Sequence, residues 1–82
     1  KKERVRLTKE LQKFGFIVYP SQANFLLVFM GKKATALCQK LKTRGILVRD
    51  RSAKPFLTGC VRITVRSPKE NDQLLKALRE II

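Results

Sequence analysis

The stretch from residue 58 to residue 71, TGCVRITVRSPKEN, constrains the fold most, because a strand pattern runs directly into a helix start. Valine and isoleucine alternate there with polar or small residues, which is typical of a strand with one apolar and one polar face. The residues of a helix N-terminus follow: an N-cap, a first-turn proline and a capping glutamate at Ser67, Pro68 and Glu70. The strand therefore presents Arg62 at a fixed depth, and the helix anchors the end of the strand.

Two strand-borne arginines are the best candidates for ligand binding. Arg62 lies within the strand predicted over 60–66, and Arg49 ends the strand predicted over 46–49. If these strands are neighbours, both guanidinium groups can converge on one anion, since the planar fork of arginine suits carboxylate and phosphate. An exposed sheet face that carries arginines only for solubility fits the same pattern. The pattern alone leaves both interpretations open.

The apolar periodicities predict three helices and four strands in the order α-β-β-α-β-β-α. The helices are predicted over 2–14, 34–44 and 68–81, and the strands over 16–19, 24–30, 46–49 and 60–66. This order predicts an α+β fold, with a small mixed β-sheet of about four strands and helices packed on one side. With 82 residues, the chain is expected to form a single domain, residues 1–82.

The segment 24–30, NFLLVFM, is almost continuously apolar, which is typical of a central strand covered on both faces. A chain of 82 residues supplies helices for one face only. The second cover is therefore expected from outside these residues. The start at Lys1, without an initiator methionine, also indicates a piece of a longer chain.

The net charge of +13 indicates anionic partners, but the residue types do not favour a nucleic-acid module. Base-binding sheets carry exposed aromatic residues, whereas the five Phe and one Tyr here fall mostly at core-like positions. A free-standing basic nucleic-acid-binding module and a purely structural interaction domain remain as alternatives. No apolar run is long enough to cross a membrane and no signal peptide is recognisable, so we expect a cytoplasmic protein.

Few residue types suited to catalysis are present. The chain has no histidine, which is the commonest general base. Cys38 and Cys60 have no partner pattern, so we expect no metal site, and instead two small core residues in a reducing compartment. The lysines lie in polar surroundings unsuited to a Schiff base, and Asp50 is expected to pair with Arg49 or Arg51. We predict no catalytic, cofactor-binding or metal-binding residue in this chain.

Four ordered segments carry a family resemblance: YPSQANF at 19–25, GILVRDRS at 45–52, GCVRITV at 59–65 and EN at 70–71. They resemble the C-terminal small domain of the histidinol-phosphate aminotransferases, a family of fold-type I enzymes that depend on pyridoxal 5'-phosphate. The resemblance covers essentially the whole chain.

The resemblance implies a function that the residues alone do not specify. The full enzyme is a homodimeric transferase of histidine biosynthesis, and its large domain carries the Schiff-base lysine and the cofactor. Arg62 matches the arginine that binds the anionic group of the substrate, either the carboxylate of glutamate or the phosphate of histidinol phosphate. Arg49 matches a second arginine used for the phosphate. The implied partners are the enzyme's own large domain, the phosphorylated amino substrate and 2-oxoglutarate, and these 82 residues should be inactive alone.

One residue departs from the family pattern. The aminotransferases have glycine after the equivalents of Thr64 and Val65, and this chain has Arg66. An arginine there resembles the related threonine-phosphate decarboxylase of cobalamin biosynthesis, which shares the fold and also binds a phosphorylated amino compound. The Gly-Cys pair at 59–60, before the apolar alternation, and the segment RDRS at 49–52 favour the aminotransferase. The decarboxylase stays the alternative.

Overall fold

The structure, a computed structural model, describes residues 2–82 and contains the predicted elements in the predicted order. The helices are α1 (Lys2–Lys13), α2 (Ala34–Thr43) and α3 (Pro68–Ile81). The strands are β1 (Ile17–Val18), β2 (Phe25–Phe29), β3 (Arg49–Asp50) and β4 (Cys60–Thr64). A short 3₁₀ turn, Gly31–Lys33, leads into α2. The α+β fold class is confirmed.

The four strands form one sheet in the order β1-β2-β4-β3. Every neighbouring pair in the described sheet is antiparallel, which corrects the prediction of a mixed sheet. β2 and β3 do run parallel to each other, as two strands joined by a helix usually do. They are not neighbours, however, because β4 is inserted between them and pairs with both.

The helices pack on one face of the sheet. Leu26 and Val28 of β2 lie on this face with Val61 and Ile63 of β4, and each of the four side chains is at most 1% exposed. They form a single core with the apolar stripes of the three helices, which include Leu7, Leu11, Leu37, Leu41, Leu74 and Leu78. The prediction of helices on one side is confirmed.

The other face of the sheet is open within residues 2–82. On this face Phe25 and Leu27 are half-buried, while Phe29 is 37% and Ile17 is 54% exposed. The prediction that the segment 24–30 is covered twice therefore holds for one face only, because all three helices of this chain use the opposite side. A second cover from outside these residues stays a prediction.

β3 begins later than predicted because the residues before it finish the cap of α2. Gly45 has a φ of 78°, its N–H donates to the carbonyl of Lys42, and the N–H of Ile46 donates to the carbonyl of Leu41. These two bonds form the Schellman arrangement that ends many helices. The sequence predicts Ile46 as the first strand residue, but its backbone donor is used by the helix.

Phe56 has a strained backbone conformation, although its side chain is exposed and is not packed against the core. It is the one non-glycine residue with positive φ among residues 2–82, at 65°, and its side chain is fully exposed at 103%. A left-handed conformation costs a residue with a Cβ atom roughly 1–2 kcal/mol, while glycine adds about 0.4–1 kcal/mol of unfolded-state entropy.

Phe56→Gly is therefore expected to raise the free energy of unfolding by about 0.5–1 kcal/mol, measured by urea denaturation. The matched control is Thr58→Gly, at a nearby exposed position without positive φ. This control should lower the stability, since glycine there brings only entropy. A loss of stability in both variants would show that Phe56 is not strained.

Candidate anion-binding site

The strand register places the two predicted site residues side by side. Arg62 of β4 lies directly opposite Arg49 of β3 and, on its other side, opposite Leu27 of β2. Side chains that are directly opposite in an antiparallel pair share a face, with their Cβ atoms roughly 5 Å apart. The condition set by the sequence, that the two strands be neighbours, is met. Both arginines thus start from adjacent points on the open face.

These two arginines border an open depression of about 570 Å³. Its lining is made of Leu47, Val48, Arg49, Asp50, Arg62 and Thr64. Arg62 is half-buried and Arg49 is exposed. Four carboxylate–cation contacts occur among residues 2–82, and none of them involves Arg49 or Arg62. Like charges opposite each other destabilise a sheet, so the pair lacks a counter-charge that an anionic ligand would supply.

The guanidinium of Arg62 lies over the ring of Phe25. Its Cζ atom is 4.1 Å from the ring centroid, well within the range of a cation–π contact. This contact uses the flat face of the guanidinium. The N–H groups point outward in the plane of the guanidinium and stay available for a carboxylate or phosphate.

Asp50 does not pair with the neighbouring arginines, contrary to the prediction. Its side chain lies on the opposite face of the strand from Arg49, where it accepts a hydrogen bond from the hydroxyl of Thr35 at 2.6 Å. It also accepts one from the backbone N–H of Ser52 at 2.9 Å. The bonds from Thr35 and Ser52 hold the pKa of Asp50 below its usual range. The carboxylate that follows Arg49 in the sequence is therefore hydrogen-bonded to Thr35 and Ser52 and does not pair with the arginines.

Arg66 lies apart from the arginine pair. β4 ends at Thr64, and the exposed Arg66 lines a separate depression with Gly45, Ile46, Leu47, Glu70 and Gln73. The structure therefore places Arg62 and Arg66 in different depressions, which have Leu47 in common.

Asn71 anchors the end of β4, and sequence reasoning missed this role. The side chain is 2% exposed. Its Oδ1 accepts from the backbone N–H of Arg66 at 3.1 Å, and its Nδ2 donates to the Arg66 carbonyl and to Glu3, each at 2.9 Å. A signal was present, because Asn71 lies three, four and seven residues before Leu74, Leu75 and Leu78. A polar residue on a buried helical stripe calls for hydrogen-bond partners.

Glu3 extends this anchor to α1. Its carboxylate accepts from Arg6 at 2.8 and 3.1 Å and from the amide of Asn71, and Arg6 also contacts Asp72 of α3 at 2.9 Å. The hydrogen bonds from Arg6 and then Asn71 lower the pKa of Glu3 to about 2, against a partial opposing effect of desolvation. Folding therefore favours the ionised form of Glu3 over the protonated form.

This lowered pKa predicts an acid-sensitive contribution to stability. The contribution is complete above the ordinary value of 4.5 and is lost as the pH falls towards about 2, where the folded carboxylate takes up its proton. The difference in urea midpoint between the wild type and Glu3→Gln should therefore be largest above pH 5 and shrink steadily down to pH 2. A difference that stays constant over this range would mean that the charge of Glu3 plays no part.

Residues 1–78 match the family described as aminotransferase class I and II. The chain belongs to this family. Over 82 residues it is 51% identical to the histidinol-phosphate aminotransferase of Thermoanaerobacter pseudethanolicus, a match that covers 99% of this chain and 23% of that protein. The chain thus spans less than a third of the length of the relative that it resembles.

Two solved structures share the fold. One is histidinol-phosphate aminotransferase from Sinorhizobium meliloti in complex with pyridoxal-5'-phosphate, with a TM-score of 0.80 at 28% identity, covering 99% of this chain and 24% of that one. The other is L-threonine-O-3-phosphate decarboxylase from Porphyromonas gingivalis, with a TM-score of 0.83 at 30% identity, covering 98% and 26%. The resemblance to the histidinol-phosphate aminotransferases is confirmed, and the decarboxylase is a structural neighbour.

No lysine among the described residues lies in a site suited to a Schiff base with the aldehyde of pyridoxal phosphate. Every lysine in residues 2–82 is exposed, whereas a lysine that forms a Schiff base needs a desolvated site to lose its proton.

In the same range, no group of three or more histidine, cysteine or carboxylate side chains could hold a metal ion. Among these residues, no helix has the length and apolarity needed to cross a bilayer. Cys60 is buried and Cys38 packs against the core, both as free thiols.

Proposed function

We propose that this chain is the C-terminal small domain of a pyridoxal-phosphate-dependent aminotransferase that transfers an amino group between histidinol phosphate and 2-oxoglutarate in histidine biosynthesis. The observation that carries the proposal is the direct pairing of Arg49 with Arg62 on an open sheet face, without a carboxylate partner. The 51% identity to a histidinol-phosphate aminotransferase supports the choice of substrate.

In this proposal the two arginines bind and orient the anionic end of the substrate. Arg62 is half-buried and braced, so its fork has a defined direction, and it binds the phosphate of histidinol phosphate or the carboxylate of glutamate. Arg49 adds a second cation beside the phosphate. Holding the anion at one end fixes the position of the amino group at the other, which is the contribution that positioning makes to catalysis.

The cofactor belongs to a large domain outside these residues. Pyridoxal phosphate, when bound, supplies the electron sink for amino transfer. The open sheet face supports a cover of this kind, since Phe29 and Ile17 are exposed there. Closure of the small domain over the substrate then excludes water from the site. The chain alone is expected to be inactive, and the full-length enzyme to be a homodimer. The two free thiols are in keeping with a reducing compartment, so we expect the enzyme in the cytoplasm.

Threonine-phosphate decarboxylase is the second candidate, and Arg66 is the observation that favours it. The structural match to the P. gingivalis decarboxylase supports a common fold. Arg66 lines a depression separate from that of Arg49 and Arg62, so its presence is compatible with an unchanged arginine pair.

The test uses the full-length gene product that contains this chain, loaded with pyridoxal phosphate. It is offered histidinol phosphate with 2-oxoglutarate, and separately threonine phosphate, and both glutamate and carbon dioxide are assayed. Glutamate from the first mixture is the expected result. Carbon dioxide from the second would identify the decarboxylase and make Arg66 a specificity residue. If neither product forms, salt-dependent RNA binding is the next test, because of the +13 charge.

A further inference from the structure

We propose that Phe25 is a positioning residue for anion recognition, because its ring holds the guanidinium of Arg62 in the orientation that binds the substrate. This inference rests on the proposed function, since it concerns the same site. The cation–π contact of 4.1 Å between Arg62 and the ring is the observation that carries it.

The register explains why these two side chains meet. Phe25 is opposite Thr64, and Arg62 lies two residues before Thr64 on the same face of β4. This makes Phe25 and Arg62 a diagonal cross-strand pair, at a spacing that aromatic and long side chains can bridge. Phe25 is itself half-buried, so its ring has a restricted position.

The backbone around Phe25 is fixed on both sides. The hydroxyl of Ser21 donates to the carbonyl of Phe25 at 2.8 Å and accepts from the N–H of Ala23 at 3.1 Å. The carbonyl of Asn24 accepts from the N–H of Val65 at 2.8 Å. The ring therefore stands on a strand end that is tied to both its own loop and β4. This gives Arg62 a rigid support.

A stacked ring suits an anion-binding arginine for two reasons. Arginine loses much side-chain freedom when it binds a ligand, and stacking restricts that freedom beforehand without using a single N–H donor. Cation–π attraction also strengthens as water leaves the site, so the support becomes firmer when a cover closes over the open face. An aliphatic residue of similar size would fill the space and give neither effect.

The test measures steady-state kinetics of the full-length holoenzyme with histidinol phosphate for Phe25→Leu and Phe25→Tyr. Phe25→Leu keeps an apolar side chain but removes the π face, and should raise KM about 3–30-fold with kcat changed less than about twofold. Phe25→Tyr keeps the ring and should stay within about twofold of the wild type in KM. Equal KM increases in both variants, accompanied by equal losses of thermal stability, would overturn the proposal in favour of simple packing.

Arg62→Ala and the double variant Phe25→Leu/Arg62→Ala separate this inference from the proposed function. If Phe25 acts through Arg62, the leucine change should have almost no further effect once Arg62 is gone. If Arg62→Ala raises KM and Phe25→Leu leaves KM unchanged, only the role of Phe25 is overturned. An unaffected KM in Arg62→Ala would overturn both.

An NMR measurement on arginine-labelled holoenzyme checks the same contact without turnover. The Nε–H signal of Arg62 should carry the upfield shift of a proton above an aromatic ring, which Phe25→Leu removes and Phe25→Tyr keeps. The same Arg62 shift in wild type and Phe25→Leu would show that the stack does not exist in solution.

Discussion

Replacing Arg62 by alanine in the full-length holoenzyme is expected to lower kcat/KM for histidinol phosphate by at least about 100-fold. Hydrogen bonds to a charged group contribute about 1.5–3 kcal/mol each, and a bidentate guanidinium makes two of them. Each 1.4 kcal/mol corresponds to about a factor of ten. Arg49 lies opposite Arg62, but it is exposed and Phe25 stacks on Arg62, so Arg49 is expected to compensate only in part.

Two further variants separate the effect of geometry from that of charge. Arg62→Lys keeps the cation but loses the planar fork, and should recover only part of the lost activity. Arg79→Ala removes the same charge from an exposed position on α3, and should leave kcat/KM near the wild-type value. A value within about threefold of the wild type for Arg62→Ala would contradict the assignment of Arg62 to the substrate anion.

The largest effect on stability is expected from Asn71→Leu, at about 3 kcal/mol in urea unfolding of this chain. The substitution removes three hydrogen bonds from a side chain that is 2% exposed. It also leaves the backbone N–H and carbonyl of the exposed Arg66 without these partners, and each of the three lost hydrogen bonds contributes about 0.5–1.5 kcal/mol. Leucine has the branching and the number of heavy atoms of asparagine, but its methyl groups are bulkier, so overpacking adds to the loss.

The matched control for Asn71→Leu is the neighbouring Asp72→Asn. Asp72 is 64% exposed and contacts Arg6, and exposed ion pairs of this kind contribute about 0–1 kcal/mol. The control should therefore stay within about 1 kcal/mol of the wild type. A loss for Asn71→Leu as small as that of the control would mean that the hydrogen bonds of Asn71 do not hold the end of β4.

Local patterns in the sequence were sufficient to predict β4 and α3. The alternation in β4 and the N-terminus of α3 depend on residues that are close together along the chain, so short-range rules apply to them. Ser67 caps α3 as predicted, since its hydroxyl oxygen accepts from the N–H of Glu70 at 3.2 Å. The hydroxyl also donates to the carboxylate of Glu70 at 2.9 Å. The cap fixes where the helix starts relative to the strand.

The features that the sequence did not predict depend on residues far apart in the chain. Nothing local indicates that β4 separates β2 from β3, so the register that pairs Arg49 with Arg62 remained a condition rather than a prediction. Asp50 was expected to pair with Arg49 or Arg51. Successive side chains of a strand point to opposite faces, however, and Thr35 of α2 lies on the same face as Asp50 and donates to it. In both cases the decisive partner comes from another element.

The most direct test of the arginine pair compares histidinol phosphate with histidinol, its counterpart without phosphate, in the wild-type holoenzyme and in Arg49→Ala. The quantity measured is the ratio of the two kcat/KM values. If Arg49 and Arg62 together bind the phosphate, the ratio should be large in the wild type and fall at least about tenfold in Arg49→Ala. An equal ratio in the two proteins would contradict the joint site and place the phosphate elsewhere in the enzyme.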